Sequence, residues 1–202
     1  MFLFYWIFAY LSGSLPFGLW VTKALKGVDL REGGSRHVTT TNTIRHAGWG
    51  AGALVLILDI TKGALPVYFA SKAGLPMLAV AMTAAFAVIG HCYPLFAKFH
   101  GGMGLATSGG TLLALSPLAF LIALATLILL VLIIRHAARA ALFTGILAPF
   151  VLWAFRLPPQ LIWAATGCGV VIALRFTIDW NRQYRELWLD REKEEQKEFA
   201  GE

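Results

Sequence analysis

A series of long apolar runs constrains this chain more than any other feature. They occupy residues 2–23, 50–71, 75–97, 118–134, 138–155 and 159–178. Each holds about 17–23 residues, enough to cross roughly 30 Å of hydrocarbon at about 1.5 Å per residue. A shorter apolar piece, 104–115, would rise only about 18 Å as a helix, so it either crosses while shielded by neighbours or re-enters. Backbone inside lipid must satisfy its own hydrogen bonds, so the runs predict an all-α, polytopic integral membrane protein. Composition agrees. Of 202 residues, 58% are hydrophobic and 14% charged, and the mean hydropathy is +0.69. A soluble domain would be about a quarter charged. No length is left for a large soluble domain, so any chemistry must sit on membrane helices and their short loops.

Charge sets the expected topology. If the short piece crosses, seven transmembrane helices result, with the N-terminus outside and the C-terminus cytoplasmic. Fourteen of the 17 Lys and Arg then lie inside, Lys72 and Arg156 lie outside, and Lys62 sits within a span. If it does not cross, the split is about seven to nine, which the positive-inside bias disfavours. The net charge of +6 therefore points to cytoplasmic loops and a lipid surface rather than nucleic acid. The first residues, Met-Phe-Leu-Phe-Tyr-Trp, lack the basic start and cleavage site of a signal peptide and read as a first membrane helix. Cys92 and Cys168 exclude a disulfide framework and a multi-cysteine metal site. The expected organisation is a membrane domain, 1–178, and a charged cytoplasmic tail, 179–202, read as a solvated helix along the membrane through Trp180, Tyr184 and Trp188 or as a frayed extension.

Polar groups are costly in such a chain, so their positions suggest function. They gather in three segments on the inferred cytoplasmic side. The first is Gly34-Ser-Arg-His-Val-Thr-Thr-Thr-Asn-Thr-Ile-Arg45, following a kinked helix that carries Gly13-Ser-Leu-Pro-Phe-Gly18. Hydroxyl, amide and guanidinium groups at this density suit a phosphate or another oxyanion; the plainer alternative is a polar connecting loop. The second is Asp59-Ile-Thr-Lys62, an i,i+3 pair inside a span. Either it is an internal ion pair, or Lys62 reaches an anionic substrate while Asp59 orients it. The third runs from Gly90-His91 to Gly101-Gly-Met-Gly104 and Thr107. Glycines opening a short embedded helix put N–H groups and a helix dipole where an anion could sit. His91 alone reads as readily as a satisfied interfacial histidine.

No His-x-x-x-x-Asp pair, metal-ligand spacing, Walker loop or dinucleotide fingerprint is present. The three segments together, however, resemble the bacterial acyl-phosphate:glycerol-3-phosphate acyltransferase family. The resemblance rests on Gly13-Ser-x-Pro-x-Gly18, Lys23, Gly27-Val-Asp-Leu-Arg31, Gly34-Ser35, Thr41-Asn42, Arg45, Gly48, Asp59-x-x-Lys-Gly63, Gly90-His91, Pro94, Phe96, Phe99, Gly101-Gly-x-Gly104 and Ala106-Thr107, in order, from residue 1 to about 182.

That resemblance implies a seven-helix enzyme of the bacterial inner membrane. It would move a fatty acyl group from acyl phosphate to the 1-hydroxyl of glycerol 3-phosphate, giving lysophosphatidic acid for phospholipid synthesis. It implies no metal or other cofactor, and substrates and membrane lipids as partners of a monomer. Ser35, Arg45 and His91 would be catalytic, and Asp179, standing where the family has Asn, would act as a base for the acceptor hydroxyl if oriented toward the site. Lys23, Thr41, Asn42, Lys62, Gly101, Gly102, Gly104 and Thr107 would bind substrate, and Arg36 and His37, which are not the family's residues, would add positive charge to the binding loop. Several positions depart from the family pattern. The loop Gly-Ser-Gly-Asn-x-Gly-Ala-Thr-Asn here carries Arg36, His37, Thr39 and Thr40, and the lysine of Gly-Gly-Lys-Gly is Met103. In the C-terminal Arg-His-Arg-Glu-Asn stretch, Arg175 remains and Phe176, Thr177, Ile178 and Asp179 follow. These departures leave two alternatives: an enzyme of the same fold with a changed acceptor or donor, and an inactive lipid-binding relative.

Overall fold

The computed structural model describes residues 2–180. Among them the regular structure is helical, with no strand. The first apolar run forms two helices, α1 (Phe2–Gly13) and α2 (Phe17–Lys26). Pro16 lacks an N–H and cannot continue the ladder, so the crossing breaks at Ser14-Leu15-Pro16 and restarts. Gly27 ends α2 in the left-handed region (φ +67°), its N–H returning to Lys23 O at 2.9 Å.

The polar segment after it is only partly a loop. Thr39 caps a short helix, α3 (Thr40–Ala47), by accepting from the Asn42 N–H at 3.2 Å. Thr41, Asn42 and Arg45 therefore stand on a helix rather than in a connecting loop. α4 (Trp49–Lys72), α5 (Met77–Cys92), α7 (Pro117–Ile134), α8 (Ala137–Ala154) and α9 (Pro159–Ile178) follow the predicted runs, and a one-turn 3-10 helix, Leu95–Ala97, continues from α5. The short piece is α6 (Leu105–Leu115), whose 11 residues rise about 17 Å. Among the described residues, six segments are long and apolar enough to cross a membrane, and α6 is the shorter apolar helix beside them.

α5 lies at the centre, packed on α1, α4 and α9, and most of its residues are buried. Small residues permit the closest approaches. A Cβ at Gly63 on α4 would strike the Thr107 backbone of α6, and one at Gly110 would strike Ile60. Helices in lipid gain little from apolar contact alone, so backbone proximity and dispersion hold them together. α7 is the opposite case. Ala119 is its buried residue, while Leu121, Ile128, Leu129, Leu132 and Ile133 face outward, as suits a helix bathed in acyl chains. The tail from residue 181, including the Tyr184 and Trp188 expectation, lies outside the described residues.

Candidate active site

The helix break in the first crossing leaves carbonyls without intrahelical donors. Lys62 on α4 supplies one, its Nζ donating to Leu15 O at 2.8 Å. The same ammonium pairs with Asp59 Oδ1 at 2.7 Å, and both side chains are 4% exposed. His91 Nδ1, near the end of α5, lies 3.7 Å from Asp59 Oδ1. Ser12 donates to Lys62 O at 2.8 Å, binding α1 to α4 on the same level. Gly13, Leu15, Pro16, Val38, Lys62, His91, Pro94 and Gly101 enclose a small cavity. Lys62 thus serves both the ion pair and the helix break, and its charge faces this cavity.

The loop between α2 and α3 reaches the cavity through Val38. Asn42 is 1% exposed and ties the loop from within. Its Nδ2 faces Leu30 O, Gly33 O and His37 O at 3.0–3.2 Å, and its Oδ1 accepts from the Ser35 N–H at 3.3 Å. Gly34 is needed beside it, because its φ is +59° and an added Cβ would come within 2.7 Å of Arg45 Nη1. Ser35 Oγ is buried without a hydrogen-bond partner. Arg36 sits at φ +58° and is exposed. Upstream, Asp29 and Arg31 pair at 2.6 Å, and the guanidinium hydrogen bonds hold the Asp29 carboxyl down to about 2.

The glycine turn connects the loop to the helices. Val38 N donates to Gly101 O at 3.2 Å, and Gly102 N donates to His91 O at 3.1 Å. A Cβ at Gly102 would meet His91 Nε2 and come within 2.5 Å of Val38 O. Gly102 therefore joins three segments, and its own N–H is engaged by protein. From α9, Arg175 donates through Nε to Gly102 O at 3.3 Å and pairs through Nη1 with Asp179 Oδ2 at 3.1 Å; His37 Nε2 lies 3.1 Å from the same oxygen. Gly104 caps α6 with φ +86° and packs toward Val88 and Cys92 of α5.

Ser35, His37, Asn42, Arg45, Lys62, His91, Gly101, Gly102 and Asp179 thus surround one loop-covered region. Thr41 stands on the first turn of α3. Thr107 faces α4, its Oγ1 buried and without a hydrogen-bond partner. Lys23 is exposed on the last turn of α2, near enough to Asp29 to favour its charged form. Arg175 is the residue whose role the spacing concealed: as one basic residue at the end of a span it counts toward topology, and only the packing brings it to Gly102. From Leu105 and Ser108 an apolar groove runs between α6, α7, α8 and α9, past Leu112, Phe120, Leu127 and Ile172. Among the described residues, no group of three or more His, Cys, Asp or Glu is placed to hold a metal ion.

A family model described as glycerol-3-phosphate acyltransferase matches residues 3–186. The chain belongs to the glycerol-3-phosphate acyltransferase family. A member from Serratia proteamaculans is 35% identical over 189 residues, covering 90% of this chain and 87% of that protein. One from Geobacillus kaustophilus is 42% identical over 147 residues, covering 70% and 72%. Crystal structures of PlsY, an integral membrane glycerol 3-phosphate acyltransferase, share the fold. Its glycerol 3-phosphate form superposes with a TM-score of 0.78 at 37% identity and its lysophosphatidic acid form with 0.77 at 35%, each covering 90% of both chains.

Proposed function

We propose that this chain transfers a fatty acyl group from acyl phosphate to the 1-hydroxyl of glycerol 3-phosphate, releasing lysophosphatidic acid and inorganic phosphate. The acceptor and product are those of the two PlsY forms. Acyl phosphate is a mixed anhydride and needs no protein nucleophile. The hydroxyl oxygen attacks the acyl carbonyl carbon, the bond from that carbon to the phosphate oxygen breaks, and the hydroxyl proton leaves with the phosphate. What the protein must supply is positioning and positive potential for two phosphates.

The observation that carries this reading is the convergence of cations on the loop and the glycine turn: Arg45 stands beside Gly34 and Ser35, Arg175 reaches Gly102 O, and Lys62 and His91 line the cavity next to Gly101. Ser35 Oγ and the Arg45 guanidinium would face phosphate oxygens, with Lys23, Arg36 and Thr41 adding cations and a hydroxyl at the rim. The groove behind Ser108 has the lining an acyl chain requires. With seven spans, 14 of the 17 Lys and Arg share one side with this site, which supports a site on the cytoplasmic face of a bacterial inner membrane, with the N-terminus outside.

Purified protein in nanodiscs, given acyl phosphate and glycerol 3-phosphate, should release phosphate and form lysophosphatidic acid. Ser35→Ala and Arg45→Ala should each lower kcat/KM roughly 100-fold. Failure of the wild type to turn over, or faster transfer from an acyl thioester, would overturn the assignment of acceptor or donor. Cysteine labelling at the two termini tests the topology, and both labels on one side would reject it.

A further inference from the structure

His37 presents both ring nitrogens to oxygen acceptors. Nδ1 lies 2.7 Å from the Ser35 carbonyl oxygen, and Nε2 lies 3.1 Å from Asp179 Oδ2. The Ser35 carbonyl can only accept, so Nδ1 carries the donor toward it, and Nε2 stands at ion-pair distance from the carboxylate. Asp179 in turn takes Arg175, and Arg175 reaches Gly102 O. A continuous series therefore runs from the Ser35 backbone through His37, Asp179 and Arg175 to the glycine turn. The Val38–Gly101 hydrogen bond closes the other side.

We infer that His37 and Asp179 are positioning residues, latching the Gly33–Val38 loop to the end of α9 and so setting where Ser35 Oγ and the Arg175 guanidinium face a phosphate-bearing substrate. The inference rests on the acyltransferase reading above. Three features support it. The Ser35 peptide groups are held on both sides, by Asn42 at its N–H and by His37 at its carbonyl. That restraint determines where its unpartnered hydroxyl stands. Between Ser35 and His37 the chain reverses through Arg36, a non-glycine residue at φ +58°. Such a conformation persists where surrounding contacts over-determine it, and the latch is one such contact. Finally, an arginine side chain loses considerable rotamer freedom when fixed. Arg175 is fixed at two donor atoms, Nε by Gly102 and Nη1 by Asp179, so its remaining donors are held ready.

Asp179 thereby takes a role different from that of a base. Its carboxylate is held between two side chains, Oδ2 lying 3.1 Å from both His37 Nε2 and Arg175 Nη1. Its contribution to transfer is to fix the groups that touch phosphate.

The test is a double-mutant cycle with His37→Ala and Asp179→Ala, read by kinetics and by hydrogen–deuterium exchange. Each single variant should lower kcat/KM for glycerol 3-phosphate about 10–100-fold, the loss that a small misplacement of binding groups produces. The double variant should fall no lower than the worse single one, because both break the same latch. Asp179→Glu should recover part of the loss. In each alanine variant, amides of residues 33–38 should exchange faster while those of α5 stay unchanged. Multiplied losses in the double variant, or unchanged exchange at 33–38 in Asp179→Ala, would overturn the latch. If the wild type does not acylate glycerol 3-phosphate, the reaction assignment falls, and the exchange comparison alone then decides the latch.

Discussion

Asp59, Lys62 and His91 form one ionic network, and His37, Asp179 and Arg175 form another, and the two differ in origin and exposure. The first is sealed, with side chains 4–6% exposed. Its ion pair comes from one turn of one helix. The second sits at the rim, with side chains 11–20% exposed. Its members come from a loop and from a helix end more than a hundred residues later. A sealed pair is kept because removing either charge strands the other in a medium that cannot solvate it. A rim network is partly screened, so it adds little to stability and can act on geometry. The contrast separates groups that hold this fold from groups that, in the latch inferred above, set the geometry of the Ser35 loop.

The largest expected effect breaks the sealed network. Lys62→Met leaves Asp59 buried without a cation and Leu15 O without its donor. It should cost about 3–5 kcal/mol, seen as a large drop in melting temperature in detergent. Adding Asp59→Leu should recover most of that loss, since two apolar side chains need no solvation. A double variant no more stable than Lys62→Met would show that the pair is not the cause.

Gly102→Ala tests the seam between the networks. The added methyl would push on His91 Nε2 from one side and Val38 O from the other. Overpacking of this kind costs about 1–3 kcal/mol, and displacing the turn should also weaken the seat of Arg175. Wild-type stability together with wild-type turnover would mean that the turn gives way freely.

The smallest effect lies outside both networks. The Asp29–Arg31 pair is 17–28% exposed. Arg31 lowers the Asp29 carboxyl from 3.8 to about 2, so the folded state favours the charged form. The resulting stability is present above the unfolded value and is lost as pH falls from 3.8 toward about 2. Exposure keeps it small. Asp29→Asn should lower the melting temperature slightly at neutral pH and should converge with wild type at the acid end. A gap that widens on acidification would contradict the sign.

Legibility in the sequence followed the range of the interaction. Asp59 and Lys62 could be paired by their i,i+3 spacing, and α6 could be bounded by the glycines before it and Ser116-Pro117 after it. His37 and Asp179 could be singled out by chemistry but not joined, because no local period relates residues so far apart. Asn42 illustrates the same limit. Its residue type suggested a ligand, whereas its surroundings make it the internal tie of the loop.

By itself the sequence determined the medium, the helical class, the runs that cross and the family, because apolar length and glycine, proline and charge spacing act locally along the chain. Only the tertiary structure decided that the first crossing breaks and is repaired by Lys62, that Gly102 joins three segments, and that Arg175 and Asp179 reach the Ser35 loop. Those outcomes depend on which carbonyls and carboxylates meet which donors across helices, and that is set by packing geometry rather than by position along the chain.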